Sequence, residues 1–234
     1  EVTDQMVGEN RVVKVVYNLE DLGCSNVVTY TIEPSGILTV EAQMSEASFK
    51  EAPRYGVRWR MPQEFANVRF YGRGPWENYC DRKDGAQFAI YSCTVDEMYV
   101  PYVRPQENGH RVDTRWLEIK NAKGRGLVIH AVENPFEFNA LHNSVEDFDA
   151  EESAAPYQWN NFVENDPHDV GRARNVMKKQ THVSDISPRN FTEICIDSRM
   201  IGVGGDNCWG AETYDKYKVL TSQPQSLSFK IIPF

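Results

Sequence analysis

Apolar and polar residues alternate over short runs along most of the chain, and turn-forming residues separate the runs. A two-residue period marks a strand with one face buried and one face wet. Val57-Arg58-Trp59-Arg60-Met61 shows it most clearly, with Arg58 and Arg60 assigned to the wet face, and Val68-Arg69-Phe70 repeats it. Residues 11–17, 27–32 and 37–42 carry many β-branched side chains, which favour extended backbone. Glu33-Pro34-Ser35-Gly36 joins the last two as a hairpin, with proline presetting φ and glycine tolerating a positive φ. The same reasoning predicts strands over 87–95, 113–120, 126–132, 135–140, 192–200 and 227–233.

Helical signal is confined to one place. Ser144 offers an N-cap hydroxyl, and Glu146 and Asp147 complement the dipole of a first turn, which predicts a short helix over 144–152. Many short strands with almost no helix define an all-β sandwich. Residues 153–182 break the pattern: no period holds, and charge turns from acidic at 146–152 to basic at 172–179. They are expected to form a long excursion from a sandwich edge, inside a single domain spanning 1–234.

Composition narrows the function. At 234 residues a β domain buries a large core without a metal or disulfide staple. A formal net charge of −9 argues against non-specific nucleic-acid binding, which needs clustered Lys and Arg. No run approaches the roughly 20 apolar residues of a membrane-spanning helix, so neither nucleic acid nor a membrane is an expected partner. Cys24, Cys80, Cys93, Cys195 and Cys208 are scattered and form no Cys-x-x-Cys, so reduced, partly buried thiols are expected. His110, His130, His142, His168 and His182 are not spaced as metal ligands, and His130 is expected to be a strand histidine with a hydrogen-bonded ring. The run from Gly202 to Gly205 lacks the lysine and the following helix of a phosphate-binding loop.

Three segments combine glycine, aromatic and polar residues more densely than a core strand requires: 71–82, 98–111 and 202–210. Each is a strand end running into a turn, where binding residues concentrate on a rigid scaffold. Their chemistry fits carbohydrate recognition. A sugar stacks its C–H face on Trp or Tyr and offers hydroxyls to Asn, Asp, Glu and Arg. The alternative is structural, with Trp76 and Trp209 in the core and Arg73, Glu77, Asp81 and Arg82 in ion pairs. Trp209, between Gly205 and Gly210, is suited to a loop tip, and His110, beside Glu107 and Asn108, is the best placed histidine for a polar site.

The run from Gly72 to Arg82 resembles the G-x-G-P-x-E-N-Y-x-D-R segment of the C-terminal domain of bacterial β-galactosidases of glycoside hydrolase family two. Pro101 to Gly109 is similar to that domain's P-Y-V-x-P-x-E-N-G, and Gly202 to Trp209 to its G-[IV]-G-G-D-[DN]-S-W. Phe136 to His142 matches its F-x-F-x-A-L-x run. The resemblance implies an antiparallel β-supersandwich of the galactose-mutarotase-like type. It also implies a non-catalytic role, because in that family a separate TIM barrel supplies the two carboxylates of retaining hydrolysis. The Trp matched by Trp209 would stack on the sugar and close one wall of the site. Asp206, Asn207, Asn108, Glu107 and His110 become the candidates for contacts with a β-galactoside or galactose.

Further expectations follow from the same resemblance. The partners are the barrel and the other domains of the parent chain. No cofactor belongs to this domain, since the Mg and Na ions of the parent family bind mainly elsewhere. The address is bacterial, cytoplasmic or periplasmic. The family's R-x-P-x-D-N-D opening is missing, so the chain is expected to begin inside the domain, and Cys208 stands where Ser is usual. Two rival functions remain. One is a stand-alone sugar-binding module. The other is an aldose 1-epimerase (mutarotase), with Glu107 or Glu137 as base and His110 or His142 as acid on opposite sides of the anomeric carbon.

Overall fold

Every strand pairing is antiparallel, as short strands joined by turns require. The computed structural model describes residues 1–148, 182–207 and 210–234. Nine strands form one sheet. Their order across it is β1 (Val2–Val7), β2 (Asn10–Leu19), β3 (Cys24–Ile32), β4 (Leu38–Met44), β15 (Gln225–Pro233), β11 (Gly126–Ala131), β10 (Trp116–Lys120), β7 (Asn67–Gly74) and β8 (Gln87–Thr94). A four-stranded sheet runs β6 (Arg54–Pro62), β13 (Phe191–Met200), β12 (Phe136–Leu141) and β9 (Arg111–Thr114). A small ribbon pairs β5 (Glu51–Ala52) with β14 (Val219–Leu220).

The core lies between the two larger sheets. Phe70, Leu117, Ile119, Ile129 and Phe229 from the large sheet meet Phe136, Phe138, Ile194 and Ile196 from the small one. Phe70 and Phe138 make an edge-to-face contact across the layers, with ring centroids 5.2 Å apart. The hairpin between β3 and β4 closes where expected: Gly36 donates to the Glu33 carbonyl at φ +85°.

Three local expectations need revision. The run 113–120 is two strands, because Asp113 adopts φ +54° and Arg115 falls between them, so β9 joins the small sheet while β10 joins the large one. The helix expected over 144–152 is a single turn, α2 (Val145–Phe148), within the described residues. Positions 149–152, and all of the excursion expected over 153–182 except His182, lie outside the described residues. A second helical turn, α1 (Val95–Met98), is also present, closed by a capping box between Thr94 and Glu97. Thr94 accepts from the Glu97 amide and Glu97 returns the bond to the Thr94 amide.

Candidate functional site

The small sheet buries both faces of its two central strands, β12 and β13. Along β13 the core residues Ile194 and Ile196 alternate with Glu193, Cys195 and Asp197, yet all five are buried. The β12 residues Glu137 and Asn139 are likewise buried opposite the core face. The face of β6 expected to be wet is so at Arg58, and it passes into a covered polar layer at Arg54 and Arg60. Arg58 keeps 41% of its side chain exposed and Arg60 only 21%. Each is tied to carboxylates, Arg58 to Glu146 at 2.6 Å and Arg60 to Glu193 at 2.8 Å.

Arg54 is the hub of this layer. Its guanidinium donates to both carboxylate oxygens of Asp197, to Glu107 at 3.2 Å and to the Asn139 side-chain oxygen at 3.3 Å. Asn139 in turn donates to Glu107 at 3.0 Å. Burial pushes the Glu107 carboxyl up, against the opposing pull of Arg54 and His110. Burial pushes Asp197 in the same direction, again opposed by Arg54. Burial works to lower Arg54, but its carboxylate partners outweigh that and hold it charged. Burial also raises Cys195, which leaves it a poor nucleophile.

The first two conspicuous segments interlock beside this layer. Glu77 accepts from the Gly109 amide at 2.8 Å and also holds Arg82 and the Tyr102 hydroxyl. Asn78 donates its amide to the His110 carbonyl and accepts from the Val112 amide at 3.1 Å. Gly109 sits at φ +75°, where a Cβ would lie 2.8 Å from the Met98 carbonyl oxygen, so glycine is required. Arg73 and Lys83 both bind Asp113, at 2.6 and 3.1 Å. Arg73, Glu77 and Arg82 thus make structural ion pairs, while Asp81 accepts from a backbone amide instead. Trp76 is different: it is 79% exposed and no part of the core.

Of the residues singled out in the sequence, Glu107, Asn108 and His110 enter the buried layer. Asn108 is structural, accepting from the Val100 amide and donating to the Gln106 carbonyl. His110 has no exposed side-chain surface, stacks on Tyr79, and sits 3.0 Å from Glu137. Asp206 and Asn207 are exposed on the third segment, where Asp206 accepts from Tyr214 at 2.5 Å. That segment is tied to the first by the Gly204 amide, which donates to Asp81 at 2.6 Å. Trp209 and Cys208 lie outside the described residues. Cys24, Cys80, Cys93 and Cys195 are free thiols. His130 is exposed on β11, with no ring hydrogen bond among the described residues.

Arg54, Asn139 and Asp197 were not picked out from the sequence. Their signal was the polar half of each alternating strand, which looks the same whether water or protein covers it. Glu137 accepts from His110 and from the Met200 amide, so this acid and base are neighbours in a sealed interior. His142 bonds the Phe191 carbonyl at 2.9 Å. Among the described residues no group of three His, Cys, Asp or Glu side chains is placed to hold a metal ion.

Asp113 gives a pH prediction. Burial tends to raise its carboxyl, but hydrogen bonds from Arg73 and Lys83 hold it below its ordinary value. The unfolded chain therefore takes up this proton first, and the stabilisation present at neutral pH is lost as pH falls through the lowered value. Asp113→Asn keeps a residue that tolerates the left-handed backbone. The variant is expected to lose about 1 kcal/mol at pH 7, since the group is partly exposed. Urea melts of the two proteins should converge in strong acid.

Two antiparallel sheets, with loop segments knitted over the buried polar face of the smaller one, define an all-β supersandwich scaffold. Its sequence belongs to the β-galactosidase small-chain family, whose model matches residues 1–231. The β-galactosidase of Streptococcus thermophilus is 30% identical over 237 residues, covering 99% of this chain and 20% of that protein. The β-galactosidase of Priestia megaterium is 29% identical, covering 95% of this chain and 19% of that protein. The chain thus spans about a fifth of the length of these relatives. Among solved structures, a galactose mutarotase related enzyme from Lactobacillus acidophilus aligns over 100% of this chain and 71% of its own, at a TM-score of 0.41 and 8% identity. An aldose epimerase homologue from C. elegans aligns over 100% and 67%, at a TM-score of 0.40 and 12% identity.

Proposed function

We propose that this chain is the non-catalytic accessory part of a retaining β-galactosidase, forming one wall of its substrate site. In this reading Trp209 stacks on the apolar face of a terminal β-galactoside, and Asp206 and Asn207, near it in the chain, meet the hydroxyls. The carboxylates of hydrolysis come from another part of the enzyme. The observation that carries this reading is the fixed stem of the third segment. Asp81 of the first motif anchors Gly204 of the third, just before Asp206 and Trp209 in the chain. Such anchoring lowers the entropy cost of presenting a loop residue to a ligand. Membership of the small-chain family supports it independently.

The reading separates the roles of the six residues first singled out. Glu107, Asn108 and His110 hold the scaffold, while Trp209, Asp206 and Asn207 meet the sugar. Trp209→Ala in a full-length enzyme carrying this chain is expected to raise KM for nitrophenyl β-galactoside about tenfold, equivalent to about 1.4 kcal/mol of lost binding. Unchanged kinetics would remove Trp209 from the site.

A further inference from the structure

The two larger sheets differ in width, nine strands against four, and the smaller one leaves part of the larger one bare. Contacts at its two ends place the smaller sheet. Thr114 of β9 lies against Gly72 of β7. At the opposite end the Tyr55 hydroxyl of β6 donates to Asn26 of β3, and Trp59 stacks on Phe229 of β15. β6 is the last described strand on that side of the smaller sheet, while β2 and β1 continue the larger sheet beyond β3.

Register shows which face β1 and β2 turn toward the smaller sheet. The buried β4 residues Val40 and Ala42 pair with Tyr30 and Val28, which pair with Val13 and Val15, which pair with Asp4 and Val2. Val2, Met6, Val13, Val15, Tyr17 and Ile32 therefore lie on the core side of the sheet, where the only charges on β1 and β2 are the paired Asp4 and Arg11. Yet Val2 and Met6 keep 66% and 64% of their surface exposed, Tyr17 46% and Ile32 41%. A contiguous apolar face of this kind marks an interaction surface.

The adjoining strand is open as well. β6 pairs with β13 along one edge, and no described strand pairs with its other edge. An edge strand points every second amide and carbonyl outward, ready to pair with another strand. Strands in a sheet sit about 4.8 Å apart, so one or two strands added beside β6 would lie over β2 and β1. Such a strand sets apolar side chains down on Val13, Val15 and Tyr17 and keeps polar ones on the other face, beside the exposed Arg58. This chain spans about a fifth of the length of its relatives, so most of the polypeptide of such an enzyme lies outside it and can supply the strand.

We propose that an extended segment of the parent β-galactosidase, outside this chain, pairs with the open edge of β6 as a fifth strand of the small sheet and covers the apolar face of β1 and β2. The inference rests on the reading of this chain as part of a larger enzyme, and not on the role given to Trp209.

The test is hydrogen exchange read by mass spectrometry, on this chain alone and on a full-length enzyme carrying it. Peptides spanning 54–62 and 11–17 report on the site, and β13, paired on both sides within this chain, is the reference. In the full-length enzyme, exchange over 54–62 should slow at least about tenfold relative to β13. Tyr17→Lys places a charge beneath the added strand and should abolish that protection. The same substitution should leave the melting temperature of the chain alone within about two degrees of the unsubstituted one. Met6→Lys, at a more exposed position, serves if Tyr17→Lys does not fold.

The proposal is overturned if residues 54–62 exchange alike in the two forms, whether fast or slow. Protection that appears in the chain alone as its concentration rises would give the face to a second copy and overturn it equally. A KM that depends on Trp209 with β6 unprotected would sink this inference alone. Protection of β6 with KM unchanged by Trp209→Ala would sink only the Trp209 reading.

Discussion

Arg54→Ala is expected to cost about 3–5 kcal/mol of stability, because it strands two carboxylates in the covered layer. Asp197 retains only 3% of its side-chain surface and Glu107 20%, and both are held by the same guanidinium. The loss comes from leaving charges without a partner, which differs from the net worth of the cluster. Replacing all three together, as Arg54→Met, Asp197→Leu and Glu107→Leu, should recover most of it. Urea denaturation of the single and triple variants separates the two quantities. A single variant within about 1 kcal/mol of the parent would show that water reaches these carboxylates freely.

Gly56→Ala is expected to be nearly as damaging. Gly56 pairs with Asp197 in the register of β6 and β13. A Cβ at this position would overlap Asp197 Oδ1 and the Ile196 carbonyl oxygen, and would lie 2.8 Å from Asp197 Cα. Two of these three atoms belong to backbone, so the strands must separate to make room. Overpacking usually costs about 1–3 kcal/mol, and this change belongs at the upper end because it also disturbs the Arg54–Asp197 pair. A melting temperature within a degree or two of the parent would mean that the sheet accommodates the methyl group.

Gly56 also shows where reading the sequence stops. The two-residue period of Val57 to Met61 located β6 and that of Val68 to Phe70 located β7, while β-branched content located β2, β3 and β4. Periodicity reports that one face is apolar and the other polar. It does not report what covers the polar face, and here protein covers Arg54 and Arg60 while Arg58 stays exposed. Arg54 and Asp197 are separated by 143 positions, so no local pattern joins them. The exposed edge strand β1 escaped notice because Val2, Met6 and Val7 do not alternate with its polar residues.

The motif strings were more informative, since dense glycine and aromatic turns pointed to the segments that interlock through Glu77, Asn78 and Asp81. The division of labour among their residues was not legible. Glu107 and His110 have the same residue types whether they face a ligand or the inside of a protein. Burial decides between the two, and it is set by β6, β12 and β13.

In the proposed role this chain assists β-galactoside hydrolysis without performing it. The deciding measurement is nitrophenyl β-galactoside turnover by the purified 234-residue chain, beside a full-length enzyme of the Streptococcus thermophilus type at equal molarity. Turnover by the chain alone should be indistinguishable from buffer. A rate approaching that of the full-length enzyme would place the catalytic carboxylates in this chain and contradict the account.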